Sequence, residues 1–201
     1  MDASATPMIF YCFILLFKHK TVSLRHETHK QKKKMDEKMV NQPCYDKDGN
    51  FIGWFSRSIA VAVIVLCNDS DGNVRVLGAE RGPEAADFRG CYNLPCGYLD
   101  FNETLEQAAR REILEEVGLD LSDCELDLIG VQDDPVKSNR QNVTMRYVTT
   151  IYDKKCEKIE FSRDGNEGAE VGDIRWFKYE DIDSVKWAFG HDELAKEILG
   201  V

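Results

Sequence analysis

Eight consecutive positions, Ile59 to Leu66, are apolar and mostly β-branched, which predicts a central strand buried on both faces. Asn68-Asp-Ser-Asp-Gly72-Asn follows as turn chemistry, and Val74 to Ala79 predicts the returning strand of a hairpin. The period then changes. Leu105, Ala108, Ala109, Ile113 and Val117 recur at helical spacing between Thr104, a capping residue with Gln107 three positions on, and Gly118, a glycine suited to a left-handed stop. Strand-like runs return at Leu126–Val131, Val143–Tyr152, Lys158–Phe161 and Ile174–Phe177, and His191 to Leu199 predicts a last helix ended by Gly200. Strands around a helix, then more strands and a terminal helix, imply an α/β fold with a mixed parallel/antiparallel sheet and helices on its faces.

The first residues pattern differently. Met8 to Phe17 is an apolar run of ten, short of the ~20 residues that span a bilayer. Asp2 before it and Lys18-His-Lys20 after it suit a secretory signal poorly. Lys18 to Lys38 is basic and without apolar periodicity. Residues 1–42 are therefore expected to be a disordered leader or a mis-assigned extension ahead of a start at Met35, and residues 43–201 to be the folded domain. Asp46 to Asn50 is a turn within it.

The chain has 201 residues and a net charge of −10, which disfavours nucleic acid as the main partner but admits a small anion if a cation reverses the local field. Seven cysteines at irregular spacing contain no CxxC pair. They read as reduced thiols of a cytoplasmic protein, with Cys91 and Cys96 close enough in sequence to consider a redox role. No GxGxxG, GxxxxGK[ST] or HExxH occurs, so a dinucleotide fold, a P-loop and zinc-dependent hydrolysis are not indicated.

What changes the picture is the acid content of the predicted helix. Glu112, Glu115 and Glu116 stand at i, i+3 and i+4, on one side of it and beside its apolar stripe, with only Arg111 adjacent in sequence as a counter-charge. Anions gathered next to a core need a cation. Oxygen donors select a hard one, Mg²⁺ first and Mn²⁺ as a substitute, and such ions accompany phosphate chemistry.

Gly97, five residues, Glu103, seven residues, Arg111-Glu112-Ile113, one residue, Glu115-Glu116, one residue, then Gly118-Leu119 complete the pattern. In this it resembles the Nudix hydrolase family, whose box it meets at every fixed position. The resemblance extends through Asn93-Leu-Pro95 and Ile174–Phe177 to about residues 55–199. It implies a Nudix-type α/β/α sandwich and Mg²⁺-dependent hydrolysis of a diphosphate in a nucleoside diphosphate linked to another moiety. It makes Glu112, Glu115 and Glu116 metal ligands, joined by the Gly97 carbonyl. Arg111 would orient Glu115 or Glu112, and Glu103 would brace the loop–helix junction or reach a second metal through water. Cys96 departs from the Gly-Gly found in many members. A general base outside the box is expected at Glu167 or Glu170. Arg81 and Arg140 are candidate phosphate cations. Phe88, Tyr147, Trp176 and Phe177 are candidate stacking rings or core. Asp133-Asp134-Pro135 would shape a pocket or turn the chain, and His191 would serve near the helix cap.

The expected substrate is a small nucleotide diphosphate such as ADP-ribose. A nucleotide-sensing module without turnover is the rival reading, and an isoprenoid diphosphate isomerase a third. A homodimer is the default assembly.

Overall fold

The computed structural model describes residues 41–68, 72–138, 140–152, 156 and 170–200. The predicted leader up to residue 40, the strand expected at Lys158–Phe161 and the candidate base Glu167 lie outside them. The chain forms two compact units, divided between Ser56 and Arg57.

The described part of the first unit is an antiparallel hairpin, β1 (Gln42–Tyr45) and β2 (Phe51–Phe55), which the sequence reading did not anticipate beyond its turn. Asp46 builds that turn, accepting the backbone N–H groups of Asp48 and Asn50 on Oδ1 at 2.9 and 2.8 Å. Gly49 follows at φ 86°, where a side chain would be strained.

The second unit is built on a seven-stranded mixed sheet. Its centre is β3 (Ile59–Asn68), paired antiparallel to β4 (Val74–Arg81) and parallel to β8 (Val143–Tyr152) along its full length. A short β6 (Cys96–Tyr98) also pairs with β3, β5 (Tyr92–Asn93) and β9 (Val171–Phe177) pair with β4, and β7 (Asp127–Gln132) pairs with β8. The expected mixed sheet is therefore present.

Each face of the sheet has its own core. Val61, Val63 and Val65 face helix α1 (Leu105–Val117) through Ala108, Ala109, Ile113 and Val117. Ile64 and Val76 face the other way, against Phe177 of β9, Ile182 of the 3₁₀ turn (Tyr179–Ser184) and Leu194 of helix α3 (His191–Leu199). A short helix α2 (Pro135–Ser138) follows β7. The unbroken apolar run of β3 is thus explained by helices on both sides. No helix among the described residues is long and apolar enough to cross a membrane.

One expectation needs correction. Cys67 and Cys156 are joined as a disulfide, so not every cysteine is a thiol, whereas Cys44, Cys91, Cys96 and Cys124 stand outside any disulfide. Of the two roles open to Tyr147, Trp176 and Phe177, the core is the one the structure shows: all three pack into or against it.

Candidate active site

Helix α1 starts and stops as its sequence predicts. The Thr104 side chain accepts the Gln107 N–H at 3.2 Å, the Gln107 side chain accepts the Thr104 N–H at 2.8 Å, and Gly118 closes the helix at φ 68°. Fixing the ends fixes the rotation, and the apolar stripe then decides which residues look along the sheet edge toward β6.

There Arg111 gathers three acids. It donates to Glu103 at 2.8 and 3.1 Å, to Glu112 at 2.8 Å and to Glu115 at 3.0 Å, and its remaining reach goes to the Tyr98 carbonyl at 3.0 Å. These bonds, that to Glu103 foremost, raise the Arg111 pKa further. The same bond holds the Glu103 carboxyl below its ordinary range. Glu103 also accepts the Asp100 N–H at 2.7 Å, so it braces the junction between loop and helix. Glu116 turns toward β6 and accepts the Cys96 N–H at 3.0 Å.

The acids are unequal. The side chains of Glu103 and Glu112 are 14% and 13% exposed, but that of Glu115 is 44% exposed, so it stands off the buried stripe that it was expected to abut. Gly97 faces Glu112. A Cβ on Gly97 would lie 2.1 Å from the Glu112 carboxyl, so only glycine leaves that carboxylate its place. Cys96, one position earlier, is extended in β6 and pairs with Ala62, so the second glycine of the common pattern is not required here.

Three carboxylates around one guanidinium, with Glu116 beside them on the same helix, leave the cluster anionic. Among the described residues no three acids, cysteines or histidines stand at spacing to hold a metal. Arg111 is the cation that holds Glu103, Glu112 and Glu115 in this arrangement. In chemistry the set fits a hard divalent ion: every donor is oxygen, and the Gly97 cradle keeps one carboxylate half-desolvated.

On the other side of β6, a cavity of about 210 Å³ opens against Cys96, Gly97 and Tyr98. Arg81 and Arg140, suspected from sequence, both line it. Both bond Asp87, Arg81 at 2.9 Å, and both lie over the Phe189 ring, at 5.0 and 4.2 Å from its centroid. Phe88 meets Phe189 edge to face at 5.1 Å, and both rings sit on residues with left-handed backbone, φ 50° and 64°. Such strain in bulky residues is retained where neighbours dictate it.

His191 also lines this cavity. It stands beside the cap as expected: the N-cap is Gly190, and the buried His191 ring accepts the Leu94 N–H on Nδ1 at 3.0 Å. Burial, reinforced by Arg146, Arg140 and Arg81, pushes its pKa down to about 3. Sequence reasoning missed Phe189 and Arg146. Neither carries a signal in the chain, because both are brought to the cavity by distant elements. Glu170 is exposed at the start of β9, where its carbonyl accepts the Gly82 N–H at 2.6 Å, and Asp134 caps Val136 in a surface turn.

The fold and site together define an α/β sandwich with a carboxylate-bearing helix beside a cationic cavity. The sequence profile of the NUDIX domain matches residues 57–198, and the chain belongs to the Nudix family of hydrolases. An ADP-ribose pyrophosphatase of Methanocaldococcus jannaschii is 28% identical over 131 residues, which cover 65% of this chain and 68% of that protein. An 8-oxo-dGTP diphosphatase of Proteus vulgaris is 39% identical over 70 residues, 35% of this chain and 59% of its own length. In structure, the NUDIX domain of Shewanella oneidensis NrtR, solved with ADP ribose, superposes at TM-score 0.56 and 21% identity, covering 77% of this chain and 91% of that one. That similarity establishes the fold.

Proposed function

We propose that this protein is a divalent-metal-dependent pyrophosphohydrolase that cleaves the diphosphate of a nucleoside diphosphate joined to a second moiety, with ADP-ribose as the first compound to try. The observation that carries this reading is the Arg111-centred acid cluster, with Glu112 seated against Gly97 one strand away from a cavity rich in arginine. The Methanocaldococcus relative, matched over the longer span, supports the choice of compound.

Glu112, Glu115 and Glu116 would hold Mg²⁺ or Mn²⁺, with the Gly97 carbonyl beside them. When bound, the ion supplies charge neutralisation for the phosphate oxygens and acidifies an attacking water. The chain's own residues do the positioning. Arg111 aims Glu112 and Glu115, Glu103 fixes the loop that carries Tyr98 and Asp100, and Cys96 N–H orients Glu116. Glu115, whose side chain is the most exposed of the three glutamates hydrogen-bonded to Arg111, is our first candidate to accept a proton from water. Glu167 and Glu170 remain proposed alternatives for that role.

The test is chromatographic detection of the products from a panel of nucleoside diphosphate conjugates and oxidised nucleotides under Mg²⁺ and under Mn²⁺: a nucleoside monophosphate with the phosphorylated second moiety, or with diphosphate from a triphosphate. Glu115→Gln and Glu116→Gln are expected to lose about 10²–10³-fold in kcat. Full activity in both variants would overturn the assignment, and nucleotide binding without product under either metal would favour a sensing module.

A further inference from the structure

Arg146 has the address of a ligand anchor. It sits on β8 between Ala62 of β3 and Gly130 of β7 in the sheet register, so the neighbours on both sides are small. Its neighbour two positions back, Thr144, faces Ala60, again small. The sheet here leaves room above it, and that room is the cavity.

Arg81 and Arg140 have a carboxylate partner in Asp87. Arg146 makes no hydrogen bond or ion pair with any described residue, yet it is half-buried in a chain of net charge −10. Withdrawing a guanidinium from water without a partner is unfavourable, so such a group implies an absent anion. Three cations against one acid also make the cavity positive in an acidic protein.

His191 adds a donor of fixed sense. With Nδ1 accepting from Leu94, a neutral ring carries its proton on Nε2, and that N–H finds no partner among the described residues. Arg146 and His191 line the same cavity, so the guanidinium and the Nε2–H share one space.

We propose that this cavity is an anion subsite that takes a phosphoryl group of the substrate, paired to the Arg146 guanidinium and hydrogen-bonded by His191 Nε2–H, while the carboxylate helix serves the scissile bond. A planar fork suits two phosphoryl oxygens at once. At about 210 Å³ the space lies below the ~300–1,000 Å³ of sites that enclose a whole drug-sized ligand, so it receives one part of a larger substrate. The assignment of the phosphoryl group to a substrate rests on the hydrolase reading above.

The test uses the full chain in EDTA, which removes any metal contribution, and titrates AMP and inorganic diphosphate by calorimetry. Wild type is expected to bind both probes. Arg146→Gln is expected to weaken them at least about tenfold, with Arg146→Lys between the two, all three proteins having matched thermal midpoints. ¹⁵N shifts should report His191 protonated at Nε2, moving when a probe binds. Under metal, Arg146→Gln should raise KM and leave kcat. Unchanged probe affinity in Arg146→Gln, no binding by wild type, or a fall in kcat alone would each overturn the subsite. Glu115→Gln separates the two ideas: it should lose turnover about 10²–10³-fold and still bind AMP. Probe binding that depends on Arg146 in a protein without turnover would keep the subsite and remove the hydrolase.

Discussion

Single residues here are constrained by what touches them rather than by their type. Gly97 is the sharpest case, because a methyl group in place of its hydrogen would fall on the Glu112 carboxyl. Gly97→Ala is therefore expected to swing the Glu112 carboxyl aside with little change in the urea midpoint, since the clash falls on the far end of a side chain, and to reduce turnover by displacing Glu112. An alanine variant with activity intact would show that Glu112 does not need this seat. Cys96 illustrates the opposite case. Burial pushes its thiol up to about 12, with the Glu116 charge adding to this, so it stays protonated and poorly nucleophilic. The redox role considered for Cys91 and Cys96 has no support in the bonding, since both are free and the bridge lies elsewhere.

Among the elements, helix α1 is the one whose geometry the sequence spelled out. The capping pair Thr104 and Gln107, the stop at Gly118 and the apolar stripe were readable, because each depends on residues within one turn of another. Thr104→Ala should cost about 1 kcal/mol in chemical denaturation, and because Glu103 directly precedes this cap, its bonds to Arg111 should lose order as well. Strand β8 was equally legible in extent, but its function was not. That Arg146 falls between Ala62 and Gly130 is a fact of register, and register is set by pairing across 84 and 16 residues of chain. The hairpin β1–β2 was missed because Gln42–Tyr45 and Phe51–Phe55 lack clean alternation and Pro43 argues against a strand.

At the level of the whole molecule, the Cys67–Cys156 bridge closes a span of 89 residues around most of the sheet. Constraining so long a loop is worth about 4–5 kcal/mol in the chain-entropy account. Adding a reductant should lower the thermal midpoint of wild type, and Cys67→Ser should show the lower midpoint with or without reductant. Equal midpoints for wild type in both conditions would mean that the two cysteines are thiols in solution. The fold also sorts its charge. An acidic chain places an arginine-rich cavity on the α3 face of β3 and β8, and an acid cluster where α1 meets β6.

By itself the chain determined the acid helix, its ends, the buried central strand and the family, since all of these rest on contacts between residues near in sequence or on a fixed spacing. Only the tertiary structure decided that Glu112 nests on Gly97, that His191 turns its Nδ1 to Leu94 97 residues away, and that Arg146 lines a cavity with no ion-pair partner among the described residues. Those outcomes depend on how strands register and faces close, and no local pattern of side chains encodes the distance between two elements that meet only after folding.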